Sequence, residues 1–94
     1  MLAHTWRVVD GPEWTESVKA ADPHDSYFAR NLEALKIWLK RDPHYGTHTF
    51  LDGDESLRVY KTKDEAAGYR LLVVIRCNDE EKTVERRWLA VERL

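Results

Sequence analysis

The side chains best equipped for chemistry stand together in one stretch, Tyr60 to Arg70 (YKTKDEAAGYR), which runs without a break into LLVVI. It holds Lys61, Lys63 and Arg70. If Asp64 to Ala67 forms the loop of a hairpin and Gly68 supplies a left-handed position, Lys63 lies opposite Gly68, Thr62 opposite Tyr69 and Lys61 opposite Arg70. Opposite residues of an antiparallel pair share a face, so Lys61, Lys63 and Arg70 project together beside Val59, Leu72 and Val74. Tyr60, Tyr69, Leu71, Val73 and Ile75 fill the other face, and a one-residue slip would undo the grouping. Neighbouring cations destabilise each other's charged forms, which pushes a lysine toward a neutral base. An arginine stays protonated and suits a fixed donor to developing negative charge. The chemistry available is proton abstraction beside an anion.

The elements that must hold these groups follow from pattern. Leu71 to Ile75 is the longest apolar run, β-branched at three of five positions, and reads as a central strand buried on both faces. Leu57 to Lys63 is the strand before it. Thr83 to Val91 follows the charged turn Asn78 to Glu81. Val84, Trp88 and Val91 there also fit a helix, but a strand would protect the central strand's other edge. Toward the N-terminus, His4 to Val9 alternates as a first strand and Gly11-Pro12 ends it. A short helix opens at Pro12 or Glu13 and stops near Ala21, before Asp22-Pro23. A second is capped by Asp25 or Ser26, carries Phe28, Leu32, Leu35 and Leu39 on one stripe, and closes at Asp42-Pro43. His44 to Asp54 reads as a loop with a short extended piece around Phe50-Leu51.

Ninety-four residues, 43% of them hydrophobic, suffice for one domain spanning 1–94. Residues 1–57 carry six Lys/Arg against ten Asp/Glu and residues 58–94 nine against seven, which gives the net −2. The basic groups gather on the hairpin and after it, while the acidic total argues against holding nucleic acid by charge alone. The lone Cys77 excludes an internal disulfide and suits a reducing compartment. No apolar run is long enough to span a membrane and no leader pattern opens the chain, so a soluble cytoplasmic protein is expected, with no membrane partner. His44 and His48 have the spacing of a helical metal pair, but Pro43 and Gly46 oppose a helix there and no further ligand completes a site; no metal is expected. Cys77 reads as structural.

At Tyr60 to Arg70 the sequence resembles the RelE toxins of bacterial and archaeal toxin–antitoxin systems, whose hairpin has the form Tyr-Lys-x-Lys, four residues, then Gly-Tyr-Arg-Leu. The order of elements is similar to the wider RelE/ParE superfamily. The resemblance implies an α+β fold, β-α-α-β-β-β, with two N-terminal helices on one face of a small, mainly antiparallel sheet. It implies a metal-independent, cofactor-free endoribonuclease that enters the ribosome and cuts mRNA by attack of a ribose 2′-hydroxyl on the adjacent phosphate, inhibiting translation. Carried over by position, Lys61 and Lys63 look like the lysines that orient or deprotonate the hydroxyl, and Arg70 like the arginine that steadies the phosphate. Arg93 stands near a further family arginine, although the tyrosine that commonly accompanies it has no counterpart here. Arg76, Arg86 and Arg87 would reach RNA phosphates, and a cognate antitoxin would lie across Val59, Leu72 and Val74. The family's hairpin loop is usually basic or neutral, whereas Asp64-Glu65 stand in this one.

Blander readings stand beside these. Lys61 and Lys63 also suit an edge strand guarded by charge; Arg70 and Arg76 suit arginines bonded to Asp79 or Glu85; Arg86 and Arg87 suit a solvated strand face. The alternative functions are a ParE-like inhibitor that contacts DNA gyrase and a RelE-fold binding protein without catalysis.

Overall fold

The computed structural model describes residues 5–62 and 68–94. Its elements are β1 (Arg7–Asp10), α1 (Trp14–Ala21), α2 (Ser26–Arg41), β2 (Thr47–Asp52), β3 (Glu55–Lys61), β4 (Tyr69–Asn78) and β5 (Thr83–Arg93). The five strands form one sheet of order β1-β5-β4-β3-β2. β1 runs parallel to β5, and every other pair is antiparallel. The fold is α+β with both helices on one side of the sheet, as expected, and the apolar run 71–75 lies on the middle strand.

The helices form where the sequence marks them. Asp25 caps α2, its Oδ1 accepting the Phe28 N–H at 2.8 Å, and Phe28, Leu35 and Leu39 are the stripe it buries. α1 buries Trp14 and Ser17. The Ser17 hydroxyl donates to the Trp14 carbonyl (2.7 Å) and accepts the Leu89 N–H (3.0 Å), so a buried polar group fastens α1 to β5. Gly11 lets the chain leave β1 tightly: its N–H reaches the Arg86 carbonyl at 2.8 Å, and a Cβ there would stand 3.2 Å from that oxygen.

Four expectations are corrected. The central strand is buried on one face only: Tyr69, Leu71, Val73 and Ile75 are at most 2% exposed, while Leu72 and Val74 are half-buried. Both helices lie on one side, so the other has no second layer. The stretch after α2 is a full strand, β2, which pairs with β3 from Thr47↔Tyr60 to Asp52↔Glu55. Its Thr, Phe and Leu suit a strand, but Gly46 and Gly53 at its ends made it read as a loop. β3 is therefore an interior strand, not an edge, and four consecutive antiparallel strands replace the expected three. Finally, the β3–β4 register is Lys61↔Leu72 and Tyr60↔Val73, two residues from the sequence expectation. A shift of two preserves every residue's face. Lys63 lies outside the described residues. Among the described residues, no helix is long and apolar enough to cross a membrane.

Candidate functional site on the open face of the sheet

Residues alternate across a strand, so each β4 residue with a core position leaves its neighbours on the side away from the helices. Arg70, Leu72, Val74 and Arg76 lie there. From β3 come Leu57, Val59 and Lys61, and from β5 Trp88, Ala90 and Glu92. Between Val74 and Ile75 the β5 partner jumps from Trp88 to Arg86, so Arg87 is the extra residue of a bulge.

The face has two charged ends and an apolar middle. At one end, Lys61 stands opposite Leu72, with Arg70 one diagonal step away, about 7–8 Å at the backbone. Lys61 is exposed and has no ion-pair partner among the described residues. Arg70 is held through Nε by Glu92 of β5, opposite it in register. At the other end, Glu55 takes the Arg87 guanidinium in two 2.9 Å bonds, and Arg76 Nε approaches it at 3.3 Å. Glu85 adds a 3.0 Å contact to Arg87. The Arg87 hydrogen bond holds the Glu55 carboxyl below its usual range, and Arg87 is raised in return. That end is balanced, two acids against two bases. Among the described residues the Lys61–Arg70 end holds two cations against one acid, Glu92. Between the ends, Val59, Leu72 and Val74 are half-buried, and Trp88 is 44% exposed.

Two arginines expected on this face lie elsewhere. Arg86 is on the helix side, its Nε 2.6 Å from Asp10 and its guanidinium 4.7 Å above the Trp14 ring. It is neither a solvated strand-face residue nor a neighbour of Arg87 in the site: the extra residue at the bulge sets Arg86 opposite Ile75 on the helix side and leaves Arg87 to the open face. Arg93 is also on the helix side, 6.0 Å above the Tyr69 ring. There the Tyr69 hydroxyl lies 2.8 Å from both oxygens of Asp25. Burial, then that carboxylate, pushes Tyr69 up to about 12. The Phe28 N–H, with Tyr69 helping, holds Asp25 below its usual value. Cys77 also faces the helices, and burial pushes its thiol up to about 11, which suits an inert packing group. His44 Nε2 lies 2.7 Å from Asp79.

The sequence reading missed Glu92 and Glu55 as the partners of Arg70, Arg76 and Arg87. Each sits 21 or more positions from the arginine it holds, and strand register alone brings them together.

No family model and no curated relative matches this sequence. Solved structures do match its fold. A chain of the RelBE2 toxin–antitoxin complex of Mycobacterium tuberculosis is 18% identical with a TM-score of 0.66, over 96% of this chain and 99% of that one. A chain of the archaeal RelE–RelB complex of Pyrococcus horikoshii matches at 18% identity and a TM-score of 0.54, covering 92% and 93%. A chain of the intact Escherichia coli RelBE toxin–antitoxin complex does so at 18% and 0.56, covering 95% and 96%. The fold is thus shared with these chains over more than nine tenths of this one.

Proposed function

We propose that this protein is the toxin of a type II toxin–antitoxin pair, a RelE-like endoribonuclease that cleaves mRNA on the ribosome and is neutralised by its antitoxin. The observation that carries this reading is the standing of Lys61 and Arg70 as diagonal neighbours on the open face, with Lys61 unpaired among the described residues. The fold shared with chains of toxin–antitoxin complexes supports it. In the reaction, Lys61 orients a ribose 2′-hydroxyl, whose proton passes to water as its oxygen attacks the adjacent phosphorus. The bond from phosphorus to the 5′-oxygen breaks, leaving a 2′,3′-cyclic phosphate and a 5′-oxygen that takes a proton from water. Arg70 donates to the phosphate oxygens as charge builds. Entry of a phosphate requires Arg70 to exchange Glu92 for it. Arg93 faces the helices, so the proposal gives it no role at the phosphate. An antitoxin segment would cover Val59, Leu72 and Val74, with Trp88 alongside.

The second reading is a toxin that acts by contact alone, with DNA gyrase as the target. It is favoured by one feature: Arg70, Arg76 and Arg87 are each already held by an acid of the same face. Primer extension on a message translated in vitro separates the two. New ends at ribosome positions are expected with wild type, reduced by about a hundredfold in Arg70→Ala, the usual scale for losing one donor to a transition-state oxyanion. Lys61→Ala should reduce them too. Absence of cuts with folded wild-type protein would remove the nuclease, and inhibition of supercoiling would then support the contact reading.

A further inference from the structure

β2 ends the sheet, and its outer edge pairs with no described strand. Unprotected edges invite pairing, and proteins usually blunt them with lysine, proline, a bulge or brevity. β2 has none of these: it is six residues, THTFLD, in unbroken register with β3. It also carries exposed apolar groups on both faces. Leu51 is 74% exposed on the helix side, and Phe50 is 37% exposed on the open side, beside Leu57, Val74 and Trp88.

The geometry points to a second copy of this chain as the occupant of that edge. Two copies of β2 related by a two-fold axis normal to the sheet pair antiparallel, and opposite residues must share a face. That condition admits only registers in which a residue meets its own copy. Of these, the one centred on Phe50 places His48 opposite Asp52 of the second copy, and by symmetry repeats that contact at the other end. Thr49 then meets Leu51 on the helix side, and the two Phe50 rings meet on the open side. Centring on Thr49 leaves Asp52 without a partner, and centring on Leu51 sets Phe50 against Asp52. The strand is therefore complementary to itself in polar pairing and in apolar contact in a single register. The result is a continuous ten-stranded sheet, which leaves the Lys61–Arg70 end free, two strands away from the junction.

Sedimentation of the full chain over a concentration series tests this. A reversible monomer–dimer equilibrium is expected. His48→Asp sets two carboxylates against each other at both ends and should weaken the dimer about tenfold, the sum of two unfavourable cross-strand pairs. His48→Lys should leave it intact. Adding Asp52→Lys to His48→Asp sets opposite charges against each other and should recover the dimer, which a mere folding defect would not allow. Phe50→Lys should yield monomer with unchanged circular dichroism. A wild-type protein monomeric at all concentrations would overturn the proposal. So would a dimer indifferent to His48→Asp and Phe50→Lys, or an edge protected from hydrogen exchange only when a different protein is bound.

Discussion

The two faces of β4 are built from residues one position apart, yet they obey different rules. On the helix side, Tyr69, Leu71, Val73 and Ile75 are almost wholly buried, and the Tyr69 hydroxyl is tied to the Asp25 carboxylate. On the open side, Arg70, Leu72, Val74 and Arg76 are half-covered and the charges answer one another across strands. One side spends its residues on packing and the other keeps them available. A single strand can thus supply core and site together, because its side-chain period is two.

Truncation breaks the comparison most sharply. Leu71→Ala should cost about 3 kcal/mol, the usual scale for a buried leucine, while Leu72→Ala, its neighbour on the open side, should cost about 1 kcal/mol. Urea unfolding of both variants measures the difference. Equal losses would mean that the open face is packed in solution by something the monomer lacks. The next effect is that of Ser17→Ala, which leaves the buried Leu89 N–H without an acceptor. About 2 kcal/mol is expected, again from urea midpoints, although the volume removed is a single oxygen.

Acid separates the faces more subtly. Asp25 and Glu55 both ionise below the ordinary carboxylate value when folded. Their contribution to stability is therefore full above the unfolded values, near 4 on the usual scale, and is lost as pH falls through the folded ones. Asp25→Asn retains a capping side chain and should flatten the acid loss of stability, followed as the unfolding midpoint between neutral pH and about 3. Glu55→Gln should flatten it too, but its effect should shrink in high salt, since Glu55 is held by guanidinium charges whereas the first partner of Asp25 is a backbone N–H. At the alkaline end, Tyr69 favours its neutral form up to about 12. Its contribution is full below the ordinary tyrosine value, near 10, and is lost as pH rises from there, and its phenolate absorbance should appear after that of exposed tyrosines. The smallest effect belongs to Lys61→Ala, which should change stability by less than about 0.5 kcal/mol. Under the proposed function it should nevertheless reduce cleavage, which is the clearest mark of a residue kept for use.

Much of this was legible beforehand because it is local. The Phe28, Leu35 and Leu39 spacing, the Asp25 cap and the Asp42-Pro43 stop define α2 within its own residues, and the 71–75 run marks the middle strand. The grouping of Lys61 and Arg70 on one face also survived a register error, since the error was of two residues. What failed depended on partners outside each segment's own residues. Thr47 to Asp52 is a strand because β3 offers it a ladder; alone, its glycine-bounded composition suits a loop equally well. Arg86 and Arg87 look interchangeable until the bulge opposite Val74 sends one to Asp10 and the other to Glu55.

By itself, then, the sequence determined the helices, the identity of the central strand and the alternation that separates core from site, all of which follow from periodicity and caps within short windows. Tertiary structure alone decided the strand register, the existence of β2 and the acid that holds each arginine. These depend on hydrogen-bond ladders and ion pairs between different segments of the chain, where the pattern within one segment does not record which partner is met.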